Sequence, residues 1–369
     1  MTTMRNFLFL ALLGMNAAAQ DFKLPVEIRH TRQPEYVPAG DGYLSLLELE
    51  LINHYQGAPV GITSIEVLDG DLQPLAAYQD KALRALNLSP PADGAYPLAP
   101  SRYEAFFLDV SAPKPPDTLR YRIRFAVGAP EQAKTMEFVS EPIAARRTAV
   151  RMAFPLPEAR WAAINGPGIL SEHRTQSVYL NGARHLSQRY AYDFVGLDRN
   201  GRIHAGDGMQ VGQWHGFGRP VTAGIRGKVA QVFDGFDDNP KVGEVEAANR
   251  RSPCGNGVVL EVAPQRFLSY CHLRRGSIGV APGDAVGAAT VLGQVGNSGN
   301  SDAPHLHLHL SDRPEPLKGE GFPIHFEAVA DYGRVADFDA LAAGRIDWLK
   351  APAAVDGAVL GNAVVGRHK

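Results

Sequence analysis

The run Pro304-His305-Leu306-His307-Leu308-His309-Leu310 constrains the fold more than any other stretch of the chain. Strict alternation fits a β-strand and not a helix, because successive strand side chains point to opposite faces. The three leucines then enter a core, and His305, His307 and His309 share the other face. Same-face neighbours on a strand stand roughly 6.5–7 Å apart, so a straight strand cannot bring all three rings onto one ion. The spacing suits one histidine on a metal and the next beside its water. A histidine-rich wet face is the competing reading, since histidine is both a common metal ligand and an ordinary surface residue.

The rest of the chain reads as all-β. Residues 22–145 hold strand candidates at 44–52, 62–67, 103–110, 119–127 and 135–139, separated by Pro, Gly, Asp and Asn clusters. That spacing predicts an Ig-like β-sandwich domain, with one short helix over 78–88. Residues 146–181, with Pro155, Pro157, Gly166 and Pro167, read as an extended connector whose Trp161 packs on a domain surface. Residues 182–328 are dense in glycine and alternate short β-like runs with turns, which predicts a mostly antiparallel core. Residues 329–369 read as a tail with one helix over 338–349 and a poorly ordered small-residue end.

Charge and the two ends of the chain narrow the function classes. The formal net charge of -2 and the scattered Lys and Arg residues supply no field for nucleic acid. Arg5, the apolar run 7–13 and Ala17-Ala18-Ala19 have the layout of a signal peptide over 1–19, cleaved near Ala19. No Cys follows for lipid attachment, and no other segment approaches membrane-spanning length. The mature protein is expected outside the cytoplasm, periplasmic or secreted. Cys254 and Cys271 are the only cysteines and flank two apolar runs that look like paired strands. An oxidising compartment favours a disulfide between them. Two buried thiols are the alternative, and metal ligation is disfavoured because thiolate sites usually bring close pairs.

Of the 12 histidines, seven fall between His185 and His309. Asp193 sits inside the aromatic run Gln188-Arg189-Tyr190-Ala191-Tyr192-Asp193-Phe194, where a buried carboxylate needs a cation or metal partner. His272 ends the apolar run Tyr270-Cys271-His272-Leu273. The turn Val295-Gly296-Asn297-Ser298-Gly299-Asn300-Ser301 precedes the histidine strand, and its glycines permit the sharp approach a site requires.

Taken in order with Pro220-Val221-Thr222-Ala223, Gly227, Val229, Gly255-Asn256-Gly257-Val258 and Gly283-Asp284-Ala285-Val286-Gly287, these motifs resemble the lysostaphin-type (LytM-type) zinc endopeptidases. That family cleaves peptides of bacterial cell walls. The resemblance covers about 130 residues, from near His185 to His309. It implies an antiparallel β-groove holding one zinc ion, with Asp193 and His307 as ligands. His305 and His272 would flank the attacking water and the scissile carbonyl.

The chain departs from the family at the remaining ligand. The family pattern is His, three residues, then Asp; here that position is Arg189, whose guanidinium stays protonated. A catalytic zinc normally has three protein ligands. His185, eight residues before Asp193, is the expected third, with His204 or His215 as the fallback. His309 is expected as a neighbour of the ligands, and the sequence suggests no role for His173, His325 and His368. The mechanism expected from the resemblance assigns His305 as general base and His272 as oxyanion stabiliser and proton donor.

The substrate expected is the peptide part of peptidoglycan, with the first domain orienting the catalytic one or meeting a protein regulator. The competing class is a non-catalytic binding or regulatory module that keeps the groove, motivated by Arg189. A structural zinc site ranks last, because such sites are closed by four ligands, commonly including Cys.

Overall fold

Two faced sheets build the first half of the chain. The computed structural model describes residues 26–30, 32–54, 60–88, 90, 96–168 and 171–368, so the expected signal segment at 1–19 lies outside them. One sheet combines Val26–His30, Glu35–Ala39, Gly42–Asn53, Tyr103–Ala112 and Arg146–Arg147. The other combines Val60–Asp69, Pro74–Gln79, Tyr96–Leu98, Thr118–Val127, Lys134–Val139 and Ile143–Ala144. The strand Thr118–Val127 shows why the sheets close: Leu119, Tyr121, Ile123 and Phe125 are buried, and the residues between them face outward. They meet Leu49, Leu51, Phe106 and Leu108 of the opposing sheet in one core. The helix expected over 78–88 shrinks to the single turn Asp80–Arg84. Residues before it are held extended by antiparallel pairing with Val60–Asp69, and the Tyr78 hydroxyl donates to the Asp109 carbonyl at 2.7 Å.

The second half is organised by one 12-stranded sheet. Along its main path run Arg151–Ala153, His325–Arg334, Ala363–Arg367, Arg160–Ile164, Tyr192–Leu197, Leu306–Ser311, Arg266–Leu273, Asn256–Ala263, Gly227–Phe233 and Ala285–Val286. Leu306, Leu308 and Leu310 enter its core with Tyr270, Phe194 and Phe326.

Two stretches behave differently from the expectation. The presumed connector supplies Arg160–Ile164, an interior strand paired with both Tyr192–Leu197 and Ala363–Arg367. Its Trp161 is fully buried in the core rather than laid on a surface. The presumed tail completes the strand His325–Arg334 and supplies Asp347–Gly357 and Ala363–Arg367, and its helix is confined to Phe338–Ala342. Ala363 to Val365 are buried. A strand covered on both faces shows no alternation, so its pattern is silent in the sequence. No helix among the described residues is long and apolar enough to cross a membrane.

The strand Gly42–Asn53 joins the halves. The Leu46 N–H donates to the Tyr190 hydroxyl at 2.7 Å, and Leu44 and Leu46 pack with Tyr190 and Ala358. Glu48 and Glu50 of the same strand reach Arg189 and Arg184 of the second half.

Candidate metal and catalytic site

Register places the first pair. Tyr192–Leu197 runs antiparallel to Leu306–Ser311 with Asp193 directly opposite His307, and Cys271 faces His307 from the other side. Opposed side chains on neighbouring strands are in contact range, and His307 Nδ1 lies 2.9 Å from Asp193 Oδ1. Because the leucines occupy the core face, all three histidines of this stretch emerge into a groove of about 660 Å³. His309 is 1% exposed, and its Nδ1 lies 2.9 Å from His307 Nε2.

The third member of the group is His173. Its Nε2 lies 3.2 Å from Asp193 Oδ2, and its ring meets that of His307 edge-on at 4.7 Å. It sits on the one-turn helix Glu172–Thr175, whose N-cap Ser171 side chain accepts from the Arg174 N–H. Asn165, in a left-handed turn at φ 52°, contributes an amide donor to Asp193 Oδ2 at 3.1 Å.

The expected third ligand, His185, is not brought to this group. It lies in the separate hairpin Val178–Leu180/Ala183–His185, and its Nδ1 accepts the Gly319 N–H at 3.0 Å. The fallback residues are also engaged elsewhere. His204 packs on Trp214 at 5.6 Å, and His215 lies 4.0 Å from Asp198. His173 escaped the sequence reading because it lies 20 residues before Asp193, in a stretch without period. The one local signal was the Asn-Gly-Pro-Gly turn at 165–168 followed by the Ser171 cap. Asn165 was missed for the same reason.

His272 and His305 stand on the other flank of His307. Their ring centroids are 4.7 Å apart, and that of His272 lies 5.8 Å from His307. His272 adopts φ 61°, rare for a residue with a Cβ, beside a register shift in the pairing of Asn256–Ala263 with Arg266–Leu273. Bulges of this kind re-aim side chains near functional sites. The neighbouring Cys271 is disulfide-bonded to Cys254, and the Cys254 carbonyl accepts the His272 N–H at 2.8 Å. Gly255 crosses the 298–299 backbone so closely that a Cβ there would meet the Ser298 carbonyl carbon at 2.4 Å. Glycine at 255 therefore sets the depth of the turn that supports His272.

Hydrogen bonding to carbonyls assigns the tautomers, because a carbonyl can only accept. His173 Nδ1 donates to the Asn165 carbonyl at 3.0 Å, His272 Nδ1 to Ser298 at 2.8 Å, and His305 Nδ1 to Ala303 at 2.7 Å. Each ring then presents Nε2 away from that anchor. His305 Nε2 lies 3.3 Å from Asp193 Oδ1.

The electrostatics follow from burial around one carboxylate. Burial disfavours charge on Asp193, but His173 and His305 outweigh it and hold the carboxyl well below its ordinary range. Burial likewise opposes charge on His173 and His305, yet Asp193 raises both above the usual histidine value. Burial prevails at His272 and His309, far below that value, and lowers His307 to about 4.

This donor set fits a divalent ion. His173, Asp193 and His307 offer ligand atoms all within 4.8 Å of one another, and so do His272, His305 and His307. In the first set, His173 Nε2 faces one Asp193 oxygen and His307 Nδ1 the other. A ring nitrogen and a carboxylate oxygen at such distances need a proton or a cation between them. The first set also includes the buried carboxylate, which the second does not, and leaves His272 and His305 beside the ion.

Comparison with known proteins agrees with the motif order. Residues 204–318 match the model of Peptidase family M23, which bears out the lysostaphin-type resemblance over that stretch. The matched segment contains His272, His305 and His307, whereas His173 and Asp193 lie upstream of it. An endolysin of Staphylococcus phage 2638A is 38% identical over 85 residues, 22% of this chain. The chain spans only 18% of that relative's length. Among solved structures, the catalytic domain of the prophage-encoded M23 protein EnpA from Enterococcus faecalis is 20% identical, at a TM-score of 0.28 over 47% of this chain and 95% of that one. The catalytic domain of the antimicrobial peptidase lysostaphin from Staphylococcus simulans is 22% identical, at 0.23 over 42% and 80%. A zinc-containing peptidase from Vibrio cholerae is 14% identical, at 0.27 over 75% and 81%.

Proposed function

We propose that the chain is a zinc-dependent endopeptidase that cleaves peptide bonds of bacterial peptidoglycan, acting outside the cytoplasm after removal of its first residues. The observation that carries this reading is the meeting of His173 Nε2 and His307 Nδ1 on the two oxygens of buried Asp193. In this reading these three residues hold one ion, and His185 has no part in it. A zinc ion there would polarise the scissile carbonyl and acidify the attacking water.

The chain's own residues supply the rest. His305, anchored through Nδ1 to the Ala303 carbonyl, points Nε2 at Asp193 Oδ1; with the carboxylate engaged by an ion, that nitrogen would take a proton from water. His272, anchored to the Ser298 carbonyl, has its ring beside that of His305; the proton that His305 takes from water, passed to His272 Nε2, would let His272 stabilise charge developing on the carbonyl oxygen and then protonate the leaving amine. His309 accepts the His307 Nε2 proton and so leaves Nδ1 as the donor atom toward the ion.

The non-catalytic alternative was motivated by Arg189 in the ligand position. His173 removes that motive, because it supplies the missing donor from elsewhere in the chain. The test is hydrolysis of purified peptidoglycan by the full chain. We expect soluble peptide release that a chelator stops and added zinc restores. His305→Ala should keep zinc but lower kcat by about 10²–10⁴. Binding to the wall without release by the wild type would instead establish the alternative.

A further inference from the structure

Arg174 directly follows His173, yet its guanidinium reaches mainly into the first half of the chain. Its guanidinium is fully buried against the sandwich. Nε donates to Glu48 Oε1 at 3.2 Å, Nη2 to the Leu47 and Leu108 carbonyls at 3.0 and 2.9 Å, and Nη1 to Asp109 Oδ1. Nη1 also donates to the Gly168 carbonyl at 3.3 Å, and the backbone N–H to Ser171. A helix of four residues has no stability of its own. The position of His173 is therefore set by where the sandwich seats Arg174.

The same carboxylate also reaches the strand of Asp193. Glu48 Oε2 accepts from Arg189 Nε at 2.6 Å, and Arg189 continues to Glu320 and to the Gly321 carbonyl at 3.0 Å. Arg189 lies four residues before Asp193, in the position where the family pattern has its local histidine. An in-strand ligand would be placed by the strand itself. A ligand imported from a separate segment needs another fixture, and Glu48 contacts both segments at once.

Resting on the assignment of His173 as a ligand, we infer that Glu48 of the N-terminal sandwich is a positioning residue for the metal site, and that metal affinity depends on the docking of the two halves. The Glu48–Arg174–Arg189 cluster is buried throughout. Clusters of this kind add little stability over apolar packing but fix geometry. Fixing His173 relative to Asp193 is the geometry this one serves. The sandwich thereby acts as part of the metal centre without donating a ligand.

The test uses the full chain with Glu48→Gln, Asp109→Asn and, as control, Glu66→Gln. Glu66 pairs with Arg122 and Arg124 at 2.8 Å within the other sheet of the sandwich. Zinc dissociation constants are measured by chelator competition, and the visible absorption of the cobalt(II)-loaded protein reports coordination. Glu48→Gln should weaken zinc binding about 10–100-fold and reduce the intense bands of a tetrahedral cobalt site. Asp109→Asn should act in the same direction by a smaller factor, and Glu66→Gln should leave both readouts at wild-type values. Wild-type affinity and spectra in folded Glu48→Gln and Asp109→Asn would overturn the inference, as would equal weakening in the control. If Glu48→Gln fails to fold, Asp109→Asn decides alone. A wild type that binds no zinc overturns the site assignment itself, and the inference with it.

Discussion

At the scale of single residues, the site is a matter of which ring nitrogen faces where. Three histidines give their Nδ1 protons to backbone carbonyls, and the fourth, His307, is turned by its neighbour His309. Zinc binding should therefore be lost in His173→Ala and kept in His185→Ala, as read by metal content after gel filtration. Loss in both variants would place the site elsewhere. His309→Phe should retain the fold while weakening zinc about 10–100-fold, because His307 then loses the acceptor for its Nε2 proton. Unchanged affinity by chelator competition would remove His309 from the account.

The sequence brought forward Asp193, His272, His305 and His307, which the structure places together: His305 and His307 alternate with core leucines, and Asp193 and His272 stand out as polar residues in apolar runs. His173 was not legible there, since an aperiodic turn says nothing about what it will approach. The expectation for His185 treated closeness in sequence as closeness in space, whereas a hairpin carries His185 to Gly319.

At the scale of elements, the strand Leu306–Ser311 was readable residue by residue, and so was its pairing of leucines with a core. The strands Arg160–Ile164 and Ala363–Arg367 were not. Both are covered on two faces by small or mixed side chains, so neither alternation nor a helical period marks them. The single-turn helices fell short of their expected lengths because neighbouring residues were claimed by sheet pairing.

If Arg160–Ile164 is an interior strand, Trp161→Ala should destabilise the protein by about 3–5 kcal/mol, the range for emptying a large aromatic site in a core. Urea unfolding checks this through a lowered midpoint at constant m. A change below about 0.5 kcal/mol would return Trp161 to a surface.

At the scale of the whole molecule, the two halves meet through buried charge. Burial pushes the Glu48 carboxyl up, but Arg189 and Arg174 more than offset this and hold it below its ordinary value of 4.5. A folded-state value below the unfolded one contributes stability above the unfolded value, and that contribution is lost as pH falls through the folded one. Wild type should thus lose stability on acidification below about pH 4.5 more steeply than Glu48→Gln. At neutral pH the variant should be less stable by about 3–5 kcal/mol, the range for breaking a buried pair. Parallel pH profiles from urea midpoints would contradict this. The sequence announced two β-rich halves but not their joint, because an ion pair between Glu48 and Arg189, 141 positions apart, leaves no periodic trace.

The central claim is that one ion is held by a histidine from outside the histidine strand. Anomalous diffraction at the zinc edge from crystals of the zinc-loaded full chain tests it most directly. The account predicts a single peak bonded to His173 Nε2, an Asp193 carboxylate oxygen and His307 Nδ1, with His272 and His305 unbonded beside it. A peak seated on His272, His305 and His307, or one that His173 does not touch, would contradict it.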